Sequence, residues 1–162
     1  TNASLLNATR ELTAKKAELE GALKNLQTAQ QEANELKKKI DRIEDVLPIL
    51  ENDRILLIEL RKDLPETREE TFDYWRNMKT VAIKSSPSLG PLVDSIIARI
   101  DLYFDWLETS PSLNASSEEI LDWIYEYTLS GAYEYDTAIG EFQNEVLLLL
   151  VIHIDTLEGI FS

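Results

Sequence analysis

The chain has 162 residues, 44% of them hydrophobic, with five Gly, five Pro and no Cys. That length supports one sizeable core, or a smaller domain with an extended arm; Gly and Pro are too few for a turn-dense β fold, and the absence of Cys excludes disulfides, zinc ribbons and thiol nucleophiles. The net charge of −14 is unevenly placed, because residues 85–162 hold fourteen of the thirty acidic residues but only one of the sixteen basic ones, Arg99, and so carry −13 of it. Such a field repels nucleic acid and anionic lipid and favours a basic partner or cations.

Residues 3–50 carry a heptad pattern. With position a at Leu5, the series continues through Leu12, Leu19, Leu26, Ala33, Ile40 and Leu47, and position d reads Ala8, Lys15, Ala22, Ala29, Leu36, Ile43 and Leu50. Lys15 is the one poor core residue, so the pattern predicts a coiled coil. In a parallel pair, g of one heptad meets e of the next on the partner. Those pairs include Glu11–Lys16, Asn25–Gln30, Glu32–Lys37 and Lys39–Glu44, none of them like-charged, and the mixed signs are also compatible with antiparallel pairing. The competing reading is a long amphipathic helix packed on its own body. The length of the pattern favours pairing between chains, with Leu5, Leu12, Leu19, Leu26, Leu36, Ile40, Ile43 and Leu47 as the oligomerisation seam.

Pro48 is expected to break this helix and open a new one, dividing the chain into a coiled-coil arm, 1–47, and an acidic helical body, 48–162. Leu64-Pro65 predicts another boundary, with Asp63 as the cap of a helix beginning at Pro65. Residues 66–84 place Phe72, Trp75, Met78 or Lys79, and Ala82 on one face. Ser85 to Gly90 reads as a loop. Residues 91–109 then read as one amphipathic helix. Its apolar face is Val93, Ile96, Ile97, Ile100, Tyr103, Phe104 and Leu107, and its acidic face is Asp94, Asp101, Asp105 and Glu108.

After a second loop, Ser116 and Glu119 form a capping-box pattern ahead of a helix with Ile120, Leu121, Ile124 and Tyr127, which is expected to stop near Gly131. A last helix, about residues 132–160, turns apolar all round from Val146 to Ile152, which predicts a central place in the core. That seven-residue run is far short of the roughly 20 residues a membrane span needs, so no direct insertion in a membrane is expected. The fold class is therefore all-α: a long N-terminal coiled-coil helix followed by a bundle of about four or five helices.

No Gly-rich phosphate loop, H-E-x-x-H or G-x-S-x-G motif is present, so no catalytic, cofactor-binding or metal-binding residue is assigned, no cofactor is expected and the protein is read as not an enzyme. The only histidine, His153, lies in the most apolar segment and is expected to be a core or interface residue satisfied by one hydrogen bond. Acid pairs such as Asp101 with Asp105 and Asp105 with Glu108 are expected to form a solvated face. Trp106, Trp123 and Tyr125 fall off the main apolar faces, which makes them candidates for a partner-binding surface or, equally, for a second buried face.

Three sequons, at Asn2, Asn7 and Asn114, together with a start at Thr1, lean toward an excised extracytoplasmic part of a membrane-anchored protein, without fixing the compartment. The expected function is an assembly module that forms a parallel homodimer through the arm and offers an acidic, aromatic surface to a basic protein partner, and not to nucleic acid. The alternative is a helical sensory domain of a membrane-anchored receptor, with a small ligand in the bundle and signalling through the coil.

Overall fold

A computed structural model describes residues 1–161. Its elements are α1 (Asn2–Leu60), α2 (Arg68–Ser85), a 3-10 turn (Pro87–Leu89), α3 (Gly90–Ile97), α4 (Ile100–Glu108), α5 (Ser117–Leu129) and α6 (Tyr133–Phe161). The fold is all-α, a long N-terminal helix followed by a helical bundle. The chain divides into two compact units, Thr1–Glu44 and Asp45–Ser162.

The first unit is a single helical stretch rich in Ala, Leu, Lys, Glu and Gln, the residues with the strongest helix preference. None of its side chains is buried. Thr9, Thr13 and Thr28 satisfy their hydroxyls within the helix by donating to the carbonyls four residues earlier.

Pro48 does not end the helix. α1 runs through it to Leu60. An interior proline removes one backbone hydrogen bond and crowds the carbonyl of Glu44, a penalty of about 3 kcal/mol. The downstream turns offset it by burial in the second unit: Ile49, Leu50, Leu57 and Leu60 are half-buried, and Asp53 and Leu56 fully so. The boundary between the two units falls at Glu44, on the carbonyl that Pro48 leaves without its donor.

The second unit is built around Leu56, Trp75, Met78, Val93, Ile96, Ile100, Phe104, Tyr135, Phe142 and Val146, contributed by every long helix of the unit except α5. Trp75 is the hub. Its indole N–H donates to the Tyr135 hydroxyl at 3.0 Å, and its ring meets Tyr74 and Phe142 edge-on. The indole thus buries a large apolar area with its one polar group satisfied. Tyr74 clips α2 to the end of α1 by donating to the Glu59 carbonyl at 3.1 Å.

Three further expectations are corrected. Thr67, not Asp63, caps α2: its extended backbone (φ −104, ψ 154) lets its side chain accept from the Glu70 N–H. Pro65 keeps the preceding backbone extended, and Thr67 with Glu70 is itself a T-x-x-E pattern. Residues 91–109 are two helices, not one. The Arg99 N–H turns to Ile96 at 3.0 Å, and the Ser95 carbonyl thereby freed accepts from the Arg99 side chain at 2.9 Å. The Arg99 guanidinium thus supplies in the break the donor that an unbroken helix would take from the backbone.

The third correction concerns α6. The 146–152 segment is not central: Val146 is buried, but Leu147, Leu148, Val151 and Ile152 are each more than half exposed. The buried face of α6 runs through Tyr135, Ala138, Ile139, Phe142, Val146 and Ile160, and the four exposed residues lie away from it. By contrast, Ser116 accepts from the Glu119 N–H at 3.2 Å as the capping box predicts. Gly131 has the left-handed backbone (φ 84) that follows a helix end and favours glycine.

Candidate interaction surfaces

α1 carries the heptad stripe. At the a and d positions Leu5, Leu12, Leu19, Leu26, Leu36, Ile40 and Leu47 are exposed, from 46% at Ile40 to 71% at Leu12, and Ile43 is half-buried. A helix whose leucines recur on one stripe and face water has an apolar surface still to be covered.

The two readings open for Trp106, Trp123 and Tyr125 divide among the three residues. Trp106 of α4 and Trp123 of α5 stack on each other, with centroids 4.2 Å apart and planes within 6°. Each indole donates to the other residue's backbone carbonyl, Trp106 to Trp123 at 2.8 Å and Trp123 to Trp106 at 3.0 Å. They form a half-buried clasp holding α5 to α4. Tyr125 alone of the three is exposed.

The clasp borders a groove of about 340 Å³ lined by Tyr103, Trp106, Trp123, Ile124, Tyr127 and Asp136. Tyr127 donates to Asp136 at 2.5 Å, a bond that with partial burial pushes its phenol up to about 12. Tyr103 is shifted upward as well, first by burial and then by the charge of Asp136.

The acids of α4, Asp101, Asp105 and Glu108, form an exposed face as expected, and one cation is set among them. Arg68, at the start of α2, gathers three of them: Nη1 donates to Asp101 at 2.6 Å, and Nη2 to Asp105 at 2.8 Å and Glu108 at 3.0 Å. Hydrogen bonds to Asp101, Glu108 and Asp105 raise the guanidinium pKa further above its ordinary value. Asp94 pairs with Lys79 at 2.9 Å. α2 thus supplies cations to α3 and α4, while α5 has acids but no basic residue.

His153 is satisfied by one hydrogen bond, as expected, though its partner lies a hundred residues away. Its Nδ1 meets Asp53 Oδ2 at 2.5 Å, joining α6 to α1. Asp53 is 3% exposed and its Oδ1 has no protein partner. One signal for it was present in the sequence, since Leu50, Asp53, Leu57 and Leu60 share one helical stripe and a lone acid in an apolar stripe needs a partner. Arg68 had no comparable signal.

Among the described residues no three His, Asp or Glu side chains are grouped to hold a metal ion, and no helix is long and apolar enough to cross a membrane. The sequon residues Asn2, Asn7 and Asn114 are exposed. No family model, curated protein or solved structure matches the chain.

Proposed function

We propose that the chain is a non-enzymatic assembly module, a parallel homodimer joined along α1 whose acidic body carries a docking surface for a basic protein partner. One observation carries the reading: of the leucines and isoleucines that recur at heptad spacing from Leu5 to Leu47, all but the half-buried Ile43 are exposed along one continuous helix. Two such stripes cover one another by knobs-into-holes packing. The orientation rests on the flanking charges, since parallel pairing sets Glu11, Glu32 and Lys39 against Lys16, Lys37 and Glu44. Each exposed pair contributes at most a few tenths of a kcal/mol, so they select orientation more than they add affinity.

The absence of native Cys makes the test clean. Single variants Leu12→Cys, Leu19→Cys and Leu26→Cys are oxidised in turn. A parallel, in-register dimer places each new thiol beside its own copy and yields a disulfide-linked pair at all three positions. Absence of linkage at all three would overturn the parallel homodimer.

A further inference from the structure

α5 is an amphipathic helix whose apolar side is only partly used. At about 100° per residue, Trp123, Tyr127, Ile120, Ile124, Leu121 and Tyr125 fall in one arc and Glu118, Asp122, Glu126 and Glu119 in the other. The body covers only the edge of the apolar arc, where Trp123 stacks on Trp106 and Tyr127 bonds Asp136. No residue of α5 is buried. Ile120, Leu121, Ile124 and Tyr125 are exposed at 40%, 49%, 52% and 59%. A helix of 13 residues has little stability of its own, yet this one is held in place with most of its apolar side uncovered.

Charge selects what covers it. From Ile100 to the end of the chain there is no Lys or Arg and there are thirteen Asp and Glu, four of them on α5 itself. A second copy would bring the same sign to the same surface, as would nucleic acid or an anionic lipid. A cationic chain is attracted, and its basic side chains reach the acids flanking the arc. The described residues contain no strand, so no sheet edge is available for strand addition, and the occupant that fits an apolar arc beside a groove is another amphipathic helix.

We infer that the open arc of α5, with the groove beside Trp123 and Tyr127, docks a cationic amphipathic helix of a partner protein. Ile124 and Tyr125 are the anchors, and Glu118, Asp122 and Glu126 are the charged rim. The inference rests on the partner-surface half of the proposed function and is independent of the dimer seam.

The probe is a fluorescein-labelled 18-residue helical peptide of Leu and Lys, with Leu at every third and fourth position, titrated with the full chain and followed by anisotropy. Binding that weakens as salt is raised is expected, with no binding of the counterpart in which every Lys is Glu. Ile124→Asp and Tyr125→Ala each weaken binding by about tenfold or more, the range of a hot-spot residue, whereas Leu148→Asp on α6 leaves it within about twofold. No binding, or loss with Leu148→Asp while Ile124→Asp is neutral, would overturn the assignment. So would a fall in the solution mass of the chain with Ile124→Asp, which would make a second copy the occupant. Peptide binding by a chain that proves monomeric would overturn the dimer and leave this inference standing. A dimer that ignores the peptide would do the reverse.

Discussion

The arm and the body place the same kinds of residue in opposite environments. In residues 1–44 no side chain is buried, and the leucines of the stripe face solvent. In residues 45–161 comparable aliphatic and aromatic residues close over Trp75 and Phe142, the latter with no exposed surface. A regular apolar stripe therefore specifies a helix without specifying what covers it. In the body the covering surface lies on other helices of the same chain. For the arm, we assign it to a second copy.

The contrast sharpens most at the centre of the body. Phe142→Ala leaves a cavity beneath Trp75 and is expected to lower stability by about 3–5 kcal/mol in urea unfolding, while cross-linking through Leu19→Cys is unaffected. Equal loss of both would break the contrast and make the arm dependent on the body. Next is His153→Ala, which leaves Asp53 buried without its only hydrogen-bond partner and is expected to cost about 3 kcal/mol by the same measurement. Replacing both residues by Leu recovers much of that loss, because no buried polar group is then left without a partner.

Trp123→Ala removes half of the clasp, and a loss of about 1–2 kcal/mol is expected from the stack and from the Trp123 indole's bond to the Trp106 carbonyl, while the Trp123 carbonyl still accepts from Trp106. Hydrogen exchange checks where the loss falls: the amides of α5 speed up, while those around Trp75 in α2 and Phe142 in α6 stay slow.

Alkaline pH produces a smaller, graded effect. Burial pushes the Tyr74 phenol up to about 12, and the hydrogen bond to Asp136 does the same for Tyr127. The folded chain then holds protons that the unfolded chain releases near pH 10, so stability is full below that pH and falls as pH rises toward 12. Tyr74→Phe flattens the fall. A stability that is level across this window would contradict the assigned environments. Leu19→Asp with Leu26→Asp is expected to have the smallest effect on the body, leaving its unfolding midpoint unchanged while abolishing association.

The helices of the fold were legible where local rules decide them. The Ser116 cap, the stop at Gly131 and the heptads of α1 need only neighbours within a turn or two. Expectations failed where distant groups outweigh local preference. Pro48 stays helical because burial beyond it offsets the proline penalty. The chain bends at Arg99 because that side chain can take the Ser95 carbonyl. The 146–152 run shows the limit of composition, since seven apolar residues in a row do not say which sides of the helix have neighbours. At the candidate surfaces, Tyr125 is exposed and Trp106 and Trp123 are each other's partners, a pairing of two helices that periodicity within either one does not encode.

Whether two chains pair along α1 is decided by the solution mass of the full chain, measured by light scattering across a wide concentration range. Pairing along α1 gives twice the 18.5 kDa chain mass, returning to a single chain mass with Leu19→Asp and Leu26→Asp. A mass of 18.5 kDa that persists at the highest concentration would contradict it and leave the α1 stripe without its assigned partner.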